Sequence, residues 1–144
     1  HISNYLGFAF EGMMCGASLT RGGLLEEFPD IKVCNFESGG SWLPWVYYTL
    51  DRVYGVERQC ARCSTEPSEL LRKAFFVAVE PDEANIVHAV NAIGSENFII
   101  GSDYPHPPST FPNTAAGIET MGGLSEHDKE NILGGNLVRL FGLN

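Results

Sequence analysis

Three acidic residues come directly after segments that are typical of buried strands. Glu37 follows a short run that ends at Phe36, Glu80 closes the apolar run AFFVAV, and Asp103 closes the run NFIIGS. Carboxylates at such positions can hold a divalent cation, activate water or transfer a proton. His106 follows Asp103 by three residues in a proline-rich loop and adds an imidazole to this set.

Each acid also has a structural alternative. An acid at the end of a strand can cap the next helix, where it meets the positive end of the helix dipole. Capping is favoured for Glu80, which stands directly before Pro-Asp-Glu, and for Glu37 both interpretations stay open. Asp103 does not suit a cap, because about ten residues with four prolines separate it from the next predicted helix. Its structural alternative is a hydrogen bond to a neighbouring loop.

The elements that must position these acids alternate along the chain. Apolar residues at three- and four-residue spacings predict helices, with Gly22-Gly23, Gly55 and a left-handed Gly94 as expected stops. Ser125 and Asp128 resemble a capping box, which predicts a further helix start. Because predicted strands alternate with these helices, we expect an α/β fold with a parallel sheet. The carboxyl ends of its strands would lie along one rim. The predicted helices span 10–21, 42–54 and 81–93, and the predicted strands span 31–36, 74–79 and 97–102.

Composition limits the class of protein. The chain has 144 residues, of which 44% are apolar, enough for one core of ordinary size. A net charge of -9 argues against a nucleic-acid partner, which would need clustered basic residues. No apolar run is long enough to span a membrane, and no signal peptide is evident. The four cysteines could form two disulfides, but a chain of this size and apolar content does not need them, so we expect reduced thiols in the cytoplasm.

The other candidate groups have weaker patterns. Cys60-Ala-Arg-Cys63 has the spacing of half a zinc site, but nothing completes it, and a loop with two incidental thiols is favoured. We expect His88 on the surface or against the core, His127 in solvent and His1 in a loop. The glycine pairs form no phosphate-binding motif, which disfavours a nucleotide-binding domain.

Four stretches, taken together, resemble the amidohydrolase 2 family, which includes the aminocarboxymuconate-semialdehyde decarboxylases. The resemblance implies a (β/α)8 barrel, of which residues 1–144 would form a single partial domain, the C-terminal part with about strands 6 to 8. A full barrel needs about 250 residues. The stretches, in the family's order, are GGLLEEFPDIKVCNFESGGSWLPW, PSELLRKAFFVAVEPDE, IIGSDYPHPPST and NILGGNLVRLFGL.

The resemblance also implies roles for single residues. The family holds a divalent metal, most often zinc, with a His-x-His pair, a further His and an Asp on the eighth strand, which Asp103 matches. Glu37 stands where many decarboxylases have a histidine, and it is expected to act as acid or base or to bind metal or substrate. Trp42 and Arg52 are expected at the substrate site or at a subunit contact, with packing as the alternative for Trp42. His106 is the third catalytic candidate.

Two functions follow as hypotheses. The first is a fragment of a metal-dependent hydrolase or non-oxidative decarboxylase acting on a small carboxylated or carbonyl compound. We expect this chain alone to bind metal weakly or not at all, because it carries one of the four family ligands. The alternative is a catalytically inactive assembly module, because open sheet edges and uncovered helix faces favour a homo-oligomer.

Overall fold

Three parallel strands form the centre of the computed structural model, which describes residues 2–107 and 109–143. The strands are β1 (Val33–Asn35), β2 (Phe75–Val79) and β3 (Phe98–Ile100), in the spatial order β1-β2-β3. In the register of the sheet, Val33 lies opposite Phe75, and Val77 lies opposite Phe98. The predicted parallel sheet is confirmed, whereas the expectation for His1 falls outside the described residues.

Helices connect the strands, as parallel pairing requires. Two helices lie between β1 and β2 in the chain, and one lies between β2 and β3. A 3₁₀ turn (Arg58–Cys60) and a π-helical turn (Asn131–Gly135) complete the described elements. The helices are α1 (Ile2–Arg21), α2 (Leu24–Glu27), α3 (Leu43–Val56), α4 (Pro67–Ala74), α5 (Ile86–Ile93), α6 (Thr114–Glu119), α7 (Glu126–Glu130) and α8 (Asn136–Phe141).

The middle strand is the most deeply buried element. Phe75, Val77 and Val79 of β2 are fully buried, as is Phe98 beside them in β3. Each such side chain contributes roughly 1.5–3 kcal/mol relative to an exposed one. The predicted stripe of α3 covers this core with Leu43, Val46, Tyr47 and Leu50. The loops after the strands therefore start from a well-packed base.

The segment before β2 is helical, although the sequence predicted no helix there and a strand from residue 74. Pro67 occupies the first turn of α4, and Leu70, Leu71 and Ala74 are buried. The helix passes directly into β2 at Phe75 without a glycine between them. The apolar run AFFVAV therefore includes the last residue of a helix, and periodicity in so short a run cannot separate the two.

The start of α5 also differs from the prediction. The helix begins at Ile86 with Asn85 at its N-cap, so Asp82 and Glu83 precede it and are not first-turn acids. It ends at Ile93 as predicted. Gly94 has the positive φ of 85° expected of a helix stop, but its ψ of 171° lies outside the left-handed helical region.

The other boundaries differ by smaller amounts. Helix α1 begins at Ile2, eight residues before the predicted start, and α3 continues through Gly55 to Val56. The outer strands are shorter than predicted because pairing with β2 involves three residues of each. The predicted capping box is confirmed, since the Ser125 hydroxyl and the Asp128 carboxylate each accept from the other residue's backbone amide.

Buried asparagines attach the C-terminal helices to the sheet. The Asn136 side chain is 1% exposed, and its Nδ2 donates to the carbonyls of Ser95 at 2.8 Å and Phe98 at 2.6 Å. Asn131 donates to the Ser95 hydroxyl at 2.9 Å. Arg139 donates to the side-chain oxygens of both asparagines. Helix α8 is therefore held against the loop and strand that lead to Asp103.

Glu26 fastens the loop ahead of α4. Its carboxylate accepts hydrogen bonds from the Thr65 hydroxyl at 2.6 Å, the Thr65 amide at 3.0 Å, and the Ser64 amide and hydroxyl, both at 2.8 Å. These bonds, the Thr65 hydroxyl first, lower the pKa of Glu26 from 4.5 to about 2. The charged form is therefore favoured in the folded state.

We expect Glu26→Gln to destabilise the chain near pH 7 and to lose this effect in acid. A carboxylate whose pKa falls on folding stabilises the protein above its unfolded pKa, and that stabilisation disappears as pH falls from 4.5 towards 2. Urea unfolding of both proteins at a series of pH values measures it. If the difference in the free energy of unfolding between the two proteins stays constant down to pH 2, the charge of Glu26 plays no part.

Candidate functional site

The loops that follow β1 and β3 bring three potential metal ligands together. One ligand atom each from Glu37, Asp103 and His106 lies within 4.8 Å of the other two. Glu37 comes two residues after the end of β1, and Asp103 comes three residues after the end of β3. The shared rim expected from the strand order therefore exists, and it holds all three predicted catalytic residues.

Asp103 is the most enclosed of the three side chains. It is 19% exposed, whereas the side chain of His106 is 70% exposed. The Oδ2 atom of Asp103 lies 3.2 Å from the Nδ1 atom of His106, and the His106 amide donates to the Asp103 carbonyl at 2.8 Å. The turn between them therefore fixes the imidazole beside the carboxylate.

Glu37 and Asp103 share an unusual backbone conformation. Their φ angles are 60° and 53°, and no other non-glycine residue among those described has a positive φ. This left-handed region costs a side chain that carries a Cβ about 1–2 kcal/mol. Such residues persist where the surrounding structure holds them, and they cluster at active sites and ligand-binding loops.

We expect Glu37→Gly to be more stable than Glu37→Ala by about 1 kcal/mol, because only glycine adopts the left-handed conformation without a Cβ penalty. Chemical denaturation of the two variants measures the difference. Glu57 provides the matched control, since it is exposed and its φ is -117°. At residue 57, the glycine variant should be no more stable than the alanine variant. Equal stabilities of Glu37→Gly and Glu37→Ala would show that the backbone of Glu37 is not strained.

A cleft of about 320 Å³ opens between these loops, within the range of about 300–1,000 Å³ typical of small-molecule sites. Glu80, at the end of β2, lines it together with Glu37 and Asp103. Burial raises the pKa of Glu80, and the neighbouring carboxylates, Asp82 first and then Asp103, add to this shift. The cleft therefore concentrates negative charge and suits a cation. The capping role favoured for Glu80 is wrong, because α5 begins six residues later.

The donor set fits a divalent metal. Carboxylate oxygens suit manganese, magnesium and calcium, whereas an imidazole nitrogen suits zinc and other transition metals. Two carboxylates with one imidazole are compatible with manganese or zinc. Among residues 2–107 and 109–143, no other group of three acids, histidines or cysteines lies close enough to hold an ion.

The two predicted substrate-binding residues lie apart from the residues that line the cleft. The Trp42 indole donates to the Ser38 carbonyl at 2.9 Å and packs edge-on against Phe75, with ring centroids 6.3 Å apart. These contacts agree with the packing alternative for Trp42. Arg52 is exposed on α3, in a separate depression with Thr49, Val53, Val56 and Glu57. The substrate-binding roles of both residues stay predictions.

Besides Ala78, three lining side chains were not singled out from the sequence. Phe36, Ser102 and Tyr104 line the cleft. Each is adjacent in the chain to an acid that the sequence analysis singled out. Phe36 precedes Glu37, and the other two flank Asp103. Adjacency to a strand-end acid is the signal that could have identified them.

His106 stands beside Asp103 but is not among the lining residues, and the remaining candidates also lie outside the cleft. His88 and His127 are exposed, as expected for surface histidines. Cys60 is exposed, Cys63 is buried, and both are free thiols. None of the described helices is long and apolar enough to cross a membrane.

Almost the whole chain aligns with two curated relatives. A 2-amino-3-carboxymuconate-6-semialdehyde decarboxylase from Dictyostelium discoideum is 30% identical over 96% of this chain. An enzyme of the same name from Caenorhabditis elegans is 25% identical, also over 96% of it. The chain spans only 39% and 35% of these two relatives.

Solved structures share the fold. An amidohydrolase from Mycobacterium avium subsp. paratuberculosis superposes with a TM-score of 0.75 and 22% identity, over 90% of this chain and 32% of its own. A 5-carboxyvanillate decarboxylase from Sphingomonas paucimobilis gives 0.72 and 23%, over 89% and 38%. The predicted α/β fold, a parallel sheet forming part of a TIM barrel, is confirmed. An amidohydrolase family model matches residues 11–143, so the chain belongs to the amidohydrolase family.

Proposed function

We propose that the cleft is part of the active site of a metal-dependent, non-oxidative decarboxylase that acts on a small carboxylated compound. The observation that carries the proposal is the convergence of Glu37, Asp103 and His106 within 4.8 Å. The names of the two curated relatives favour decarboxylation over hydrolysis. In this proposal, residues 1–144 are one partial barrel domain, and ligands from elsewhere in the barrel complete the site.

Asp103 would hold the cation, with Glu37 and His106 as the other donors of this chain. When bound, the metal supplies positive charge that polarises substrate oxygen atoms. The Asp103 carboxylate accepts from Nδ1 of His106 when that nitrogen carries the proton, and this tautomer leaves Nε2 as an acceptor. The lone pair of His106 Nε2 is then available to bind the cation.

Decarboxylation also needs a proton. When the carbon–carboxylate bond breaks, its electron pair stays on the carbon, carbon dioxide leaves, and the carbon takes up one proton. Glu80 and Glu37 are the carboxyl groups that line the cleft besides Asp103. Burial raises the pKa of Glu80, and this side chain is the candidate proton donor in the proposal.

Either zinc or manganese suits this proposal. Zinc is the metal that the family resemblance implies. A related dihydroxybenzoic acid decarboxylase from Polaromonas contains bound manganese. We expect the 144-residue chain alone to bind either ion weakly, because three donors, one of them largely exposed, make an incomplete site.

Activity assays test the proposed reaction. The protein, at the length its gene encodes, would be freed of metal with a chelator and assayed for carbon dioxide release from 2-amino-3-carboxymuconate-6-semialdehyde and from dihydroxybenzoates. We expect no activity without metal and recovery with zinc or manganese. Full activity after metal removal would contradict the proposal. Metal-dependent cleavage of esters or amides without any decarboxylation would favour a hydrolase.

Self-association is a second candidate property. Leu6, Phe10 and Met14 of α1 are 59%, 62% and 65% exposed. The outer edges of β1 and β3 pair with no strand among the described residues. Exposed apolar faces and open edges favour contacts with another chain. We propose that copies of the chain associate, and light scattering that shows only monomer over a wide concentration range would contradict it.

The cysteines support a proposal for the cellular compartment. All four are free thiols, including the exposed Cys15 and Cys60. Reduced cysteines are the rule in the cytosol, whereas secreted proteins form disulfides. We therefore propose a cytoplasmic protein. The size of the cleft separately supports a small-molecule substrate.

A further inference from the structure

Glu83 joins the loop after β2 to the loop after β1. Its Oε1 atom accepts from the amides of Gly40 at 2.9 Å and Ser41 at 2.6 Å, and its Oε2 atom accepts from Gly40 at 3.1 Å. We call these three hydrogen bonds the Glu83 clamp. Hydrogen bonds from amides to a charged carboxylate are about twice as strong as those between neutral groups. The clamp therefore fixes two loops that both line the cleft.

The geometry of the loop requires this close approach. A Cβ at Gly40 would lie 2.6 Å from Val79 Cγ1, and a Cβ at Gly39 would lie 3.0 Å from Glu83 Oε1. The two glycines therefore allow the backbone to sit directly on β2 and on the Glu83 carboxylate. A side chain at either position would push the loop away from the clamp.

The clamp also serves the start of α3. The N-cap of this helix is Trp42, which offers no side-chain acceptor, and its first turn has no acid. Gly40 and Ser41 stand directly ahead of this cap. The Glu83 carboxylate therefore lies next to the positive end of the helix dipole and takes the place of a local cap. Capping alone would be a purely structural role.

A second set of bonds fastens the other end of the same loop. The Asn35 side chain donates to the Ser38 hydroxyl at 2.8 Å, and the Trp42 indole donates to the Ser38 carbonyl at 2.9 Å. Glu37 lies between the strand end and these fastened residues, with its φ at 60°. A strained residue keeps such a conformation only when its neighbours are held.

We propose that Glu83 is a positioning residue for Glu37. By clamping residues 39–41 it keeps Glu37 in the left-handed conformation and its carboxylate within reach of Asp103 and His106. The conformational part of this inference stands on the hydrogen bonds alone, and its consequence for the cation rests on the proposed function. The experiments therefore test the two parts separately.

Nuclear magnetic resonance of the labelled chain tests the conformational part without metal. In Glu83→Ala we expect the amides of Gly40 and Ser41 to lose protection from hydrogen exchange by about tenfold or more, as the loss of a charge-assisted bond implies. Glu37 should lose the strong contact between its amide and α protons that a positive φ produces. Glu83→Gln, which keeps one carbonyl oxygen, should partly restore both signals. An unchanged Glu37 signal in Glu83→Ala would overturn the proposal.

Manganese titration of the protein, at the length its gene encodes, tests the consequence for the cation, with free manganese measured by electron paramagnetic resonance. We expect Glu83→Ala to weaken binding about tenfold, the lower end of typical losses when a residue that orients a ligand is removed. Asp82→Ala removes a neighbouring charge without the clamp, and Glu26→Ala removes another carboxylate that binds two backbone amides, outside the cleft. Both controls should change binding by less than about threefold.

The outcomes separate this inference from the proposed function. If Asp82→Ala and Glu83→Ala weaken manganese binding equally, the loss of negative charge explains the effect, and the positioning role of Glu83 is overturned. Unchanged binding in Glu83→Ala would overturn the positioning role while the metal site stands. If the unaltered protein, at the length its gene encodes, binds no manganese, the metal site fails, and the Glu37 signal alone decides whether Glu83 positions that residue.

Discussion

Replacing Asp103 by asparagine is expected to lower kcat/KM for decarboxylation on the order of 10³-fold, or about 4 kcal/mol of transition-state stabilisation. The substitution removes the negative charge of the most enclosed ligand while keeping its size. Asparagine also tolerates the positive φ of 53° at this position, so the loop should keep its shape. The measurement is steady-state kinetics of the metal-loaded protein at the length its gene encodes.

Asp51→Asn is the matched control for Asp103→Asn. The Asp51 carboxylate accepts from the Ser68 amide at 2.9 Å and is absent from the residues that line the cleft. Its replacement should leave kcat/KM within about threefold, although the start of α4 loses a charge-assisted bond. Thermal unfolding of both variants shows that each is folded. Near-normal activity of Asp103→Asn in a folded, metal-loaded protein would remove Asp103 from the site.

Replacing Asn136 by alanine is expected to lower the free energy of unfolding by about 3 kcal/mol, because two buried hydrogen bonds to backbone carbonyls are lost and a small cavity remains. The lost bonds are those from Nδ2 to the carbonyls of Ser95 and Phe98. Arg139 would also lose one of its two side-chain acceptors. Urea unfolding measures the effect at neutral pH.

Asn113→Ala is the control for Asn136→Ala. Asn113 is exposed at the N-cap of α6, where its side chain makes no capping hydrogen bond. Its replacement should change the free energy of unfolding by no more than about 0.5 kcal/mol. Similar small effects for both substitutions would mean that the asparagine contacts do not secure α8 to the sheet.

The sequence was sufficient to locate the rim of the sheet. Apolar runs ending in an acid, separated by helical patterns, predicted parallel strands whose carboxyl ends meet, and this topology follows from general rules of chain connection. The structure places Glu37, Asp103 and His106 together there. Their assignment as catalytic and metal-binding residues stays a prediction that the kinetics of Asp103→Asn addresses.

The roles of the acids after β2 could not be predicted from local pattern. Glu80 and Glu83 flank Pro81-Asp82, a composition typical of a helix start. In the fold, Glu80 lines the cleft and Glu83 binds the amides of Gly40 and Ser41, more than forty residues away in the chain. Such a contact depends on how two loops meet, and no spacing within either loop indicates it.

The helix α4 was missed for a different reason. Prediction relied on a break between helix and strand, but Ala74 ends the helix and Phe75 begins β2 without a glycine or proline between them. The positive φ angles of Glu37 and Asp103 were also beyond local pattern, since glutamate rarely adopts this region. Tertiary contacts impose both features on residues whose intrinsic preferences differ.

The central claim is that Asp103, Glu37 and His106 hold a divalent cation, and anomalous diffraction tests it most directly. A crystal of the protein soaked in manganese, with data collected on both sides of the manganese absorption edge, locates the ion independently of activity. We expect an anomalous peak within bonding distance of an Asp103 carboxylate oxygen and close to Glu37 or His106. A fully soaked crystal with manganese bound elsewhere, and no peak beside Asp103, would contradict the claim.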